Sequence, residues 1–104
     1  MAWIYLFVAG LLEIGWAFSM KRSEGFTLLG PTLLTFILMI GSFGLLSLAM
    51  RSLPLGTAYT IWTGIGAVGA FAVGILVLGE AANPMRLIAA GLIVGGLVLM
   101  KTAG

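Results

Sequence analysis

Four apolar runs, each long enough to cross a bilayer and separated only by short polar turns, dominate this chain of 104 residues. A spanning helix needs about 20 mostly apolar residues. Four stretches qualify: about 2–20, 31–50, 57–79 and 85–100, the last of them short and beginning near Pro84. Hydrocarbon offers backbone amides no water, so such runs must be helices that satisfy their own hydrogen bonds. The expected fold is an all-α membrane protein of four transmembrane helices in a single domain, 1–104. Composition decides against a soluble alternative. The chain is 62% hydrophobic and 8% charged, whereas a soluble domain carries about 25% charged residues and one this small has too little interior to hide the difference.

The turns are short. Lys21-Arg22-Ser23-Glu24-Gly25 separates the first two spans, and Pro31 suits a helix start. Arg51-Ser52-Leu53-Pro54-Leu55-Gly56 and Gly79-Glu80-Ala81-Ala82-Asn83-Pro84 are the other two. The opening Met1-Ala2-Trp3-Ile4-Tyr5 has no basic side chain before the apolar run. A secretory signal normally starts with positive charge, so a retained helix is expected, with Trp3 and Tyr5 as interfacial anchors. No soluble domain or linker is expected, and neither is an enzymatic centre. With neither Cys nor His, no metal site, haem or disulfide is expected, and no cofactor. Five basic residues against three acidic ones are too few to argue for nucleic acid. No G-x-x-x-x-G-K-[ST] phosphate loop is present.

Lys and Arg bias sets membrane orientation. Arg51 and Lys101 fall on one side, and Lys21, Arg22 and Arg86 on the other. Two against three is almost no bias. Charge alone leaves open a weakly specified single topology and insertion in both orientations.

One charge stands apart from the turns. Glu13 sits deep in the first span, between Leu11-Leu12 and Ile14-Gly15-Trp16. A charged side chain at mid-bilayer costs about 2.5–3.5 kcal/mol on insertion scales, and such a residue faces a bundle interior or a watery cavity. Either it is the functional centre, or it is a neutral carboxyl that glues helices. Helical spacing places Leu6, Ala9, Gly10, Glu13, Trp16, Ala17 and Met20 on one stripe. The small residues leave room beside the carboxyl, and Trp16 can lend a ring face and an N–H donor.

Other midspan polar groups are few. Ser42 is nearest the midplane of the second span, and taken alone its hydroxyl is expected to bond back to its own helix. In the third span Tyr59, Trp62, Thr63 and Gly66 share a face. Trp62 lies deeper than an interfacial belt requires. Gly64 and Gly66, followed by Gly69, permit either a kink or the close approach of a neighbour. The fourth span has no midspan polar group, but Gly91 and Gly95 give it a small-xxx-small face suited to a dimer contact.

Four helices are too few to wall in a pathway, so a homodimer with two copies of Glu13 is expected. A carboxylate beside aromatic rings is a cation site, since ring faces add about 0.5–2 kcal/mol. Such a group holds a proton or a cation, but not both at full strength. Exclusive binding combined with alternating access is exchange.

The residues that carry this chemistry resemble a known family. Glu13-Ile14-Gly15-Trp16-Ala17, Gly25-Phe26-Thr27, Ser52-Leu53-Pro54-Leu55-Gly56-Thr57-Ala58-Tyr59, Trp62-Thr63-Gly64-Ile65-Gly66-Ala67 and Gly79-Glu80 together are similar to the small multidrug resistance family of proton-coupled exporters of the bacterial inner membrane. Thr63 points to the guanidinium-exporter subgroup, since the multidrug subgroup usually has Ser there. The resemblance implies an antiparallel, dual-topology homodimer in the lipid bilayer, in which Glu13 binds guanidinium and protons alternately. It implies that Gly10, Trp16, Ser42, Tyr59 and Trp62, with Thr63 on their face, line the pocket or hydrogen-bond to the carboxyl. It implies that the segment of Gly64 and Gly66 is a hinge and that the fourth helix dimerises. Arg22 departs from the aromatic expected there in many guanidinium exporters, but it lies in a turn and bears on insertion or gating. Guanidinium suits a carboxylate pair because its planar fork of N–H donors matches carboxylates bidentately. Small substituted guanidines or small quaternary ammonium cations remain open as substrates. The alternatives are a quaternary ammonium or multidrug exporter of the same family, a non-transporting assembly subunit, and a proton-channel ring subunit.

Overall fold

The computed structural model describes residues 1–103 and contains four helices. They are α1 (Ala2–Arg22), α2 (Leu29–Ala49), α3 (Leu55–Leu76) and α4 (Pro84–Ala103). All four are long and apolar enough to span a bilayer. At about 1.5 Å per residue each reaches about 30 Å, the thickness of the hydrocarbon layer.

The helix ends fall a few residues from the expected ones, for identifiable reasons. α1 runs on through Lys21 and Arg22, cations that a helix C-terminus favours. α2 begins two residues before Pro31, at Leu29. A proline is tolerated anywhere in the first turn, because its missing N–H would have no intrahelical partner there. α3 starts directly after Pro54 and stops at Leu76. There the chain turns back through Gly79, whose φ is +72°, and the Glu80 N–H donates to the Gly74 carbonyl at 2.9 Å. α4 is longer than expected, 20 residues. The Asn83 side-chain oxygen caps it, accepting the Arg86 N–H at 2.9 Å, with Pro84 in the position a helix start favours.

The helices form a slab, with Cα extents of 40 × 34 × 16 Å. α1 lies in the middle. It packs closely on α2 along one side and on α3 along the other, while the backbones of α2 and α3 approach each other only briefly. α4 packs its backbone against α3 alone among the described residues, reaches α1 only by its side chains, as where Lys101 lies over the Trp3 ring at 4.9 Å, and buries none of its side chains. The buried apolar core is correspondingly small: Leu6, Ala9, Ala49, Ala58, Ile61 and Trp62. Large apolar side chains such as Ile40, Leu76 and Leu92 are more than 70% exposed. In water that would be an aggregating surface, and in lipid it is the ordinary outer wall.

Without a hydrophobic drive between helices in lipid, close backbone approach has to supply the packing. Gly10 and Gly69 provide it between α1 and α3. A Cβ at Gly10 would stand 2.6 Å from Ile65 Cγ2, and the space a Cβ would take at Gly69 is filled by the Ile14 side chain. Gly30, near the start of α2, has open space beside it. Gly69→Ala is therefore expected to lower stability by about 1–3 kcal/mol through overpacking, whereas Gly30→Ala leaves it unchanged or slightly raised. Thermal melts of both variants in the same detergent check this, and equal melting points would contradict the packing described.

Candidate functional site

Glu13 projects from the middle of α1 toward α3. Its carboxyl rests against Gly66, where any side chain would collide with the carboxyl carbon and Oε1. Glu13 Oε1 is buried and has no hydrogen-bond partner among the described residues, and the same holds for the indole N–H of Trp16 one turn further on. Buried polar atoms almost always have partners. Two orphans of complementary kind, an acceptor and a donor, therefore sit within one turn of the same helix.

Around them runs a ladder of aromatic rings. Trp16 meets Phe43 of α2 edge-on, with centroids 6.2 Å apart and planes at 73°. Phe43 meets Trp62 of α3 at 5.6 Å and 59°. Trp62 in turn stacks on Tyr59 at 5.7 Å and 28°. Pairs of this geometry contribute about 0.5–1.5 kcal/mol beyond their buried area, so the ladder fixes the side-chain order across three helices. Trp62 is buried, at 7% exposure, but Phe43 and Tyr59 at the open edge are 47% and 49% exposed.

Ser42 ties the same three helices together with hydrogen bonds. Its hydroxyl is fully buried. It donates to the Ala9 carbonyl of α1 at 2.7 Å and accepts the indole N–H of Trp62 at 2.9 Å. This corrects the expectation of a hydroxyl bonded back to its own helix. The own-helix reading gives way because α1 offers the hydroxyl an acceptor and α3 a donor, at 2.7 and 2.9 Å. It also means that the Ser42 proton is directed to Ala9 rather than to Glu13.

The other expected site residues divide into two groups. Gly10 is buried one turn before Glu13, under Ile65. Trp16, Ser42, Trp62 and Tyr59 belong to the cluster just described. Thr63 does not join it: it is exposed, while its neighbour Trp62 turns inward. Gly64 and Gly66 lie in an unbroken stretch of α3 and are both buried. They receive Leu97 of α4 and Glu13 of α1 respectively, so close approach is the role the fold displays for them. Gly91 and Gly95 have nothing among the described residues within 4 Å of the position a Cβ would occupy. They do not pack α4 onto the other three helices.

One cluster member was absent from the sequence expectations. Phe43 bridges Trp16 and Trp62, and its signal was available. It is an aromatic at midspan rather than at an interface, directly after the one midspan serine. The Ala9 carbonyl was not discoverable that way, since every residue has one.

The family model described as Small Multidrug Resistance protein matches residues 1–93. A protein of Citrobacter freundii named "Guanidinium exporter" is 56% identical over 101 residues, covering 97% of this chain and 96% of that protein. A "Guanidinium exporter" of Proteus vulgaris is 56% identical over 103 residues, 99% of each, and one of Salmonella typhi is 55% identical over 101 residues, covering 97% and 96%. With its four spanning helices and a family match over nearly its whole length, the chain belongs to the small multidrug resistance family and is a multi-pass protein of the inner membrane.

Proposed function

We propose that this protein exports guanidinium in exchange for protons, as an antiparallel homodimer in which Glu13 binds the two in turn. One observation carries the reading. A carboxyl oxygen is held at midspan against Gly66 with no hydrogen-bond partner among the described residues, one turn from a Trp16 N–H that likewise has none. A structural glue carboxyl would have found a donor. A carboxyl that must accept and release a small ligand stays free of one. Three relatives named for guanidinium export, at 55–56% identity, support guanidinium as that ligand.

The chemistry follows from the donor count. Guanidinium presents a planar fork of N–H donors to carboxylate oxygens, and the nearby ring faces attract its charge. A proton on Glu13 removes the acceptor charge that the cation needs. Each ligand therefore expels the other, and the free energy of a proton gradient becomes usable for export. Phe43 and Tyr59, half-exposed at the edge of the ladder, are placed to meet a second copy of the cluster. The bare face of α4, with Gly91 and Gly95, is placed to meet a second α4. The near balance of Arg51 and Lys101 against Lys21, Arg22 and Arg86 suits a chain that inserts both ways. Its roles need no metal or cofactor, and the assignment of Gly64 and Gly66 as a hinge belongs to this same reading.

Proteoliposome currents on a solid-supported membrane test the proposal directly. Guanidinium is expected to evoke a current in the wild type, and tetramethylammonium a much weaker one. Glu13→Gln is expected to abolish both while the protein still assembles. Proton-driven guanidinium movement by that variant would sink the mechanism. A Glu13→Gln protein that fails to assemble, on size-exclusion chromatography, would favour the packing-glue alternative.

Ser42→Ala removes the one hydroxyl that both bonds share, leaving the buried Trp62 N–H without its partner and the Ala9 carbonyl with only its helical bond. It is expected to lower stability by about 1–3 kcal/mol and to weaken guanidinium binding, since Trp62 loses its anchor. A melt and a binding isotherm check the two effects separately. Unchanged affinity would show that Trp62 is held by ring stacking alone.

A further inference from the structure

At the far end of α1 and α3 the chain seats a guanidinium group of its own. The loop after α3 folds back so that the Glu80 carboxylate fills the space above Gly74, where a Cβ would stand 2.5 Å from Oε1. Arg86, in the first turn of α4, lays its guanidinium over the Phe71 ring, 5.0 Å from the centroid. One arm, Nη1, donates to the Ala81 carbonyl at 2.7 Å. The other, Nη2, stands 3.9 Å from Glu80 Oε1. Phe71, Gly74, Glu80 and Arg86 border a cavity of about 350 Å³ that runs along α1 past Lys21 and Ala17 to Ile14, the neighbour of Glu13 in sequence.

We propose that Glu80, Phe71 and the Ala81 carbonyl form a second, low-affinity subsite for small guanidinium cations, with the Arg86 side chain as its resident competitor. The inference rests on the reading of the chain as a guanidinium exporter. Three elements recognise the head group: a carboxylate for charge, a ring face for the cation, and a carbonyl that accepts an N–H. A planar N–H fork uses all three, whereas a quaternary ammonium has no proton for the carbonyl or for a charge-assisted hydrogen bond. The resident occupant is displaceable. Its ion pair lies at the outer limit of contact, and both side chains are substantially exposed, at 40% and 45%. Exposed pairs of that kind hold their partners weakly. The subsite would collect the cation at the membrane surface, at one end of a cavity that leads along the helix bearing Glu13. Lys21, on the wall of the same cavity, opposes a cation that lingers.

Paired substitutions with opposite expected signs test this. In currents from otherwise wild-type protein, Glu80→Gln is expected to raise the guanidinium KM by about twofold to fivefold, with the saturating current unchanged. Arg86→Gln is expected to lower the KM by a similar factor, and by less for tetramethylammonium. KM shifts in the same direction for both variants would show that the pair merely ties down the loop. An Arg86→Gln gain equal for both cations would reduce the effect to general electrostatics. Either result, or no KM shift at all, overturns the subsite. Loss of guanidinium current in the wild type would instead sink the parent reading. A direct readout complements the kinetics: guanidinium chloride titrated into the Glu13→Gln protein in bicelles, followed by NMR. Amide shifts in residues 77–86 are expected with guanidinium, not with tetramethylammonium chloride at the same ionic strength, and not when Glu80→Gln is added. Absence of those shifts counts against the subsite.

Discussion

A carboxyl group placed in the hydrocarbon layer costs a few kcal/mol, and the Glu13 side chain meets that cost where α1 crosses α3. Gly66 offers no side chain at the contact, so the carboxyl can lie flat against the α3 backbone. That one accommodation governs the layout. α1 is the central helix, and its carboxyl is received on the α3 side by Gly66. α2 and α3 flank it, their backbones approaching only briefly, and meet through Ser42, Phe43 and Trp62. The glycines at positions 10 and 69 hold α1 and α3 at the separation that Gly66 requires.

The Ser42 tie is the second half of the same arrangement. A membrane interior gives a hydroxyl no water to fall back on, so its two bonds to Ala9 and Trp62 hold the helices in one register. Interhelical hydrogen bonds in bilayers contribute only about 0.6–2 kcal/mol each, which is enough to orient a ring but not to lock a bundle. Trp62 is therefore fixed in direction by Ser42 and in plane by Phe43 and Tyr59. A ring held in that way presents a constant face to a ligand while the helices around it retain freedom to shift.

Much of this was legible in the sequence because hydrocarbon leaves so few options. The number and approximate position of the helices follow from apolar length alone, and Glu13 stands out because a lone charge in a span has no innocuous role. The helix ends were less legible. Pro31 reads as a start, but a first turn accepts proline at several positions, and α2 begins at Leu29. Interhelical partners were least legible. Ser42 has an own-helix bond available in any isolated helix, and only the neighbouring α1 and α3 supply the better pair. Thr63 shares an angular face with Tyr59 and Gly66, yet that face is wide. Its far edge turns outward once Trp62 has turned in. The glycines were ambiguous for the same reason, since a bend and a close contact ask for the same missing Cβ, and only a facing side chain such as Leu97 or Ile14 distinguishes them.

The protomer also leaves unfinished business on its surface, and the pattern of what is unfinished is informative. A lipid-facing wall should be aliphatic and indifferent, as Ile40 and Leu76 are. The edge of the aromatic ladder is different: Phe43 and Tyr59 are half-exposed beside a buried indole and two orphaned polar atoms. Lipid cannot satisfy a donor or an acceptor, and it gains nothing from an oriented ring. On the reading proposed above, a second copy of the same edge, turned over, would supply another carboxyl, another indole and more ring faces, and would close the space that one copy leaves open. On the reading proposed here, the incomplete satisfaction of Glu13 and Trp16 in one protomer is what a two-copy binding chamber requires of each half.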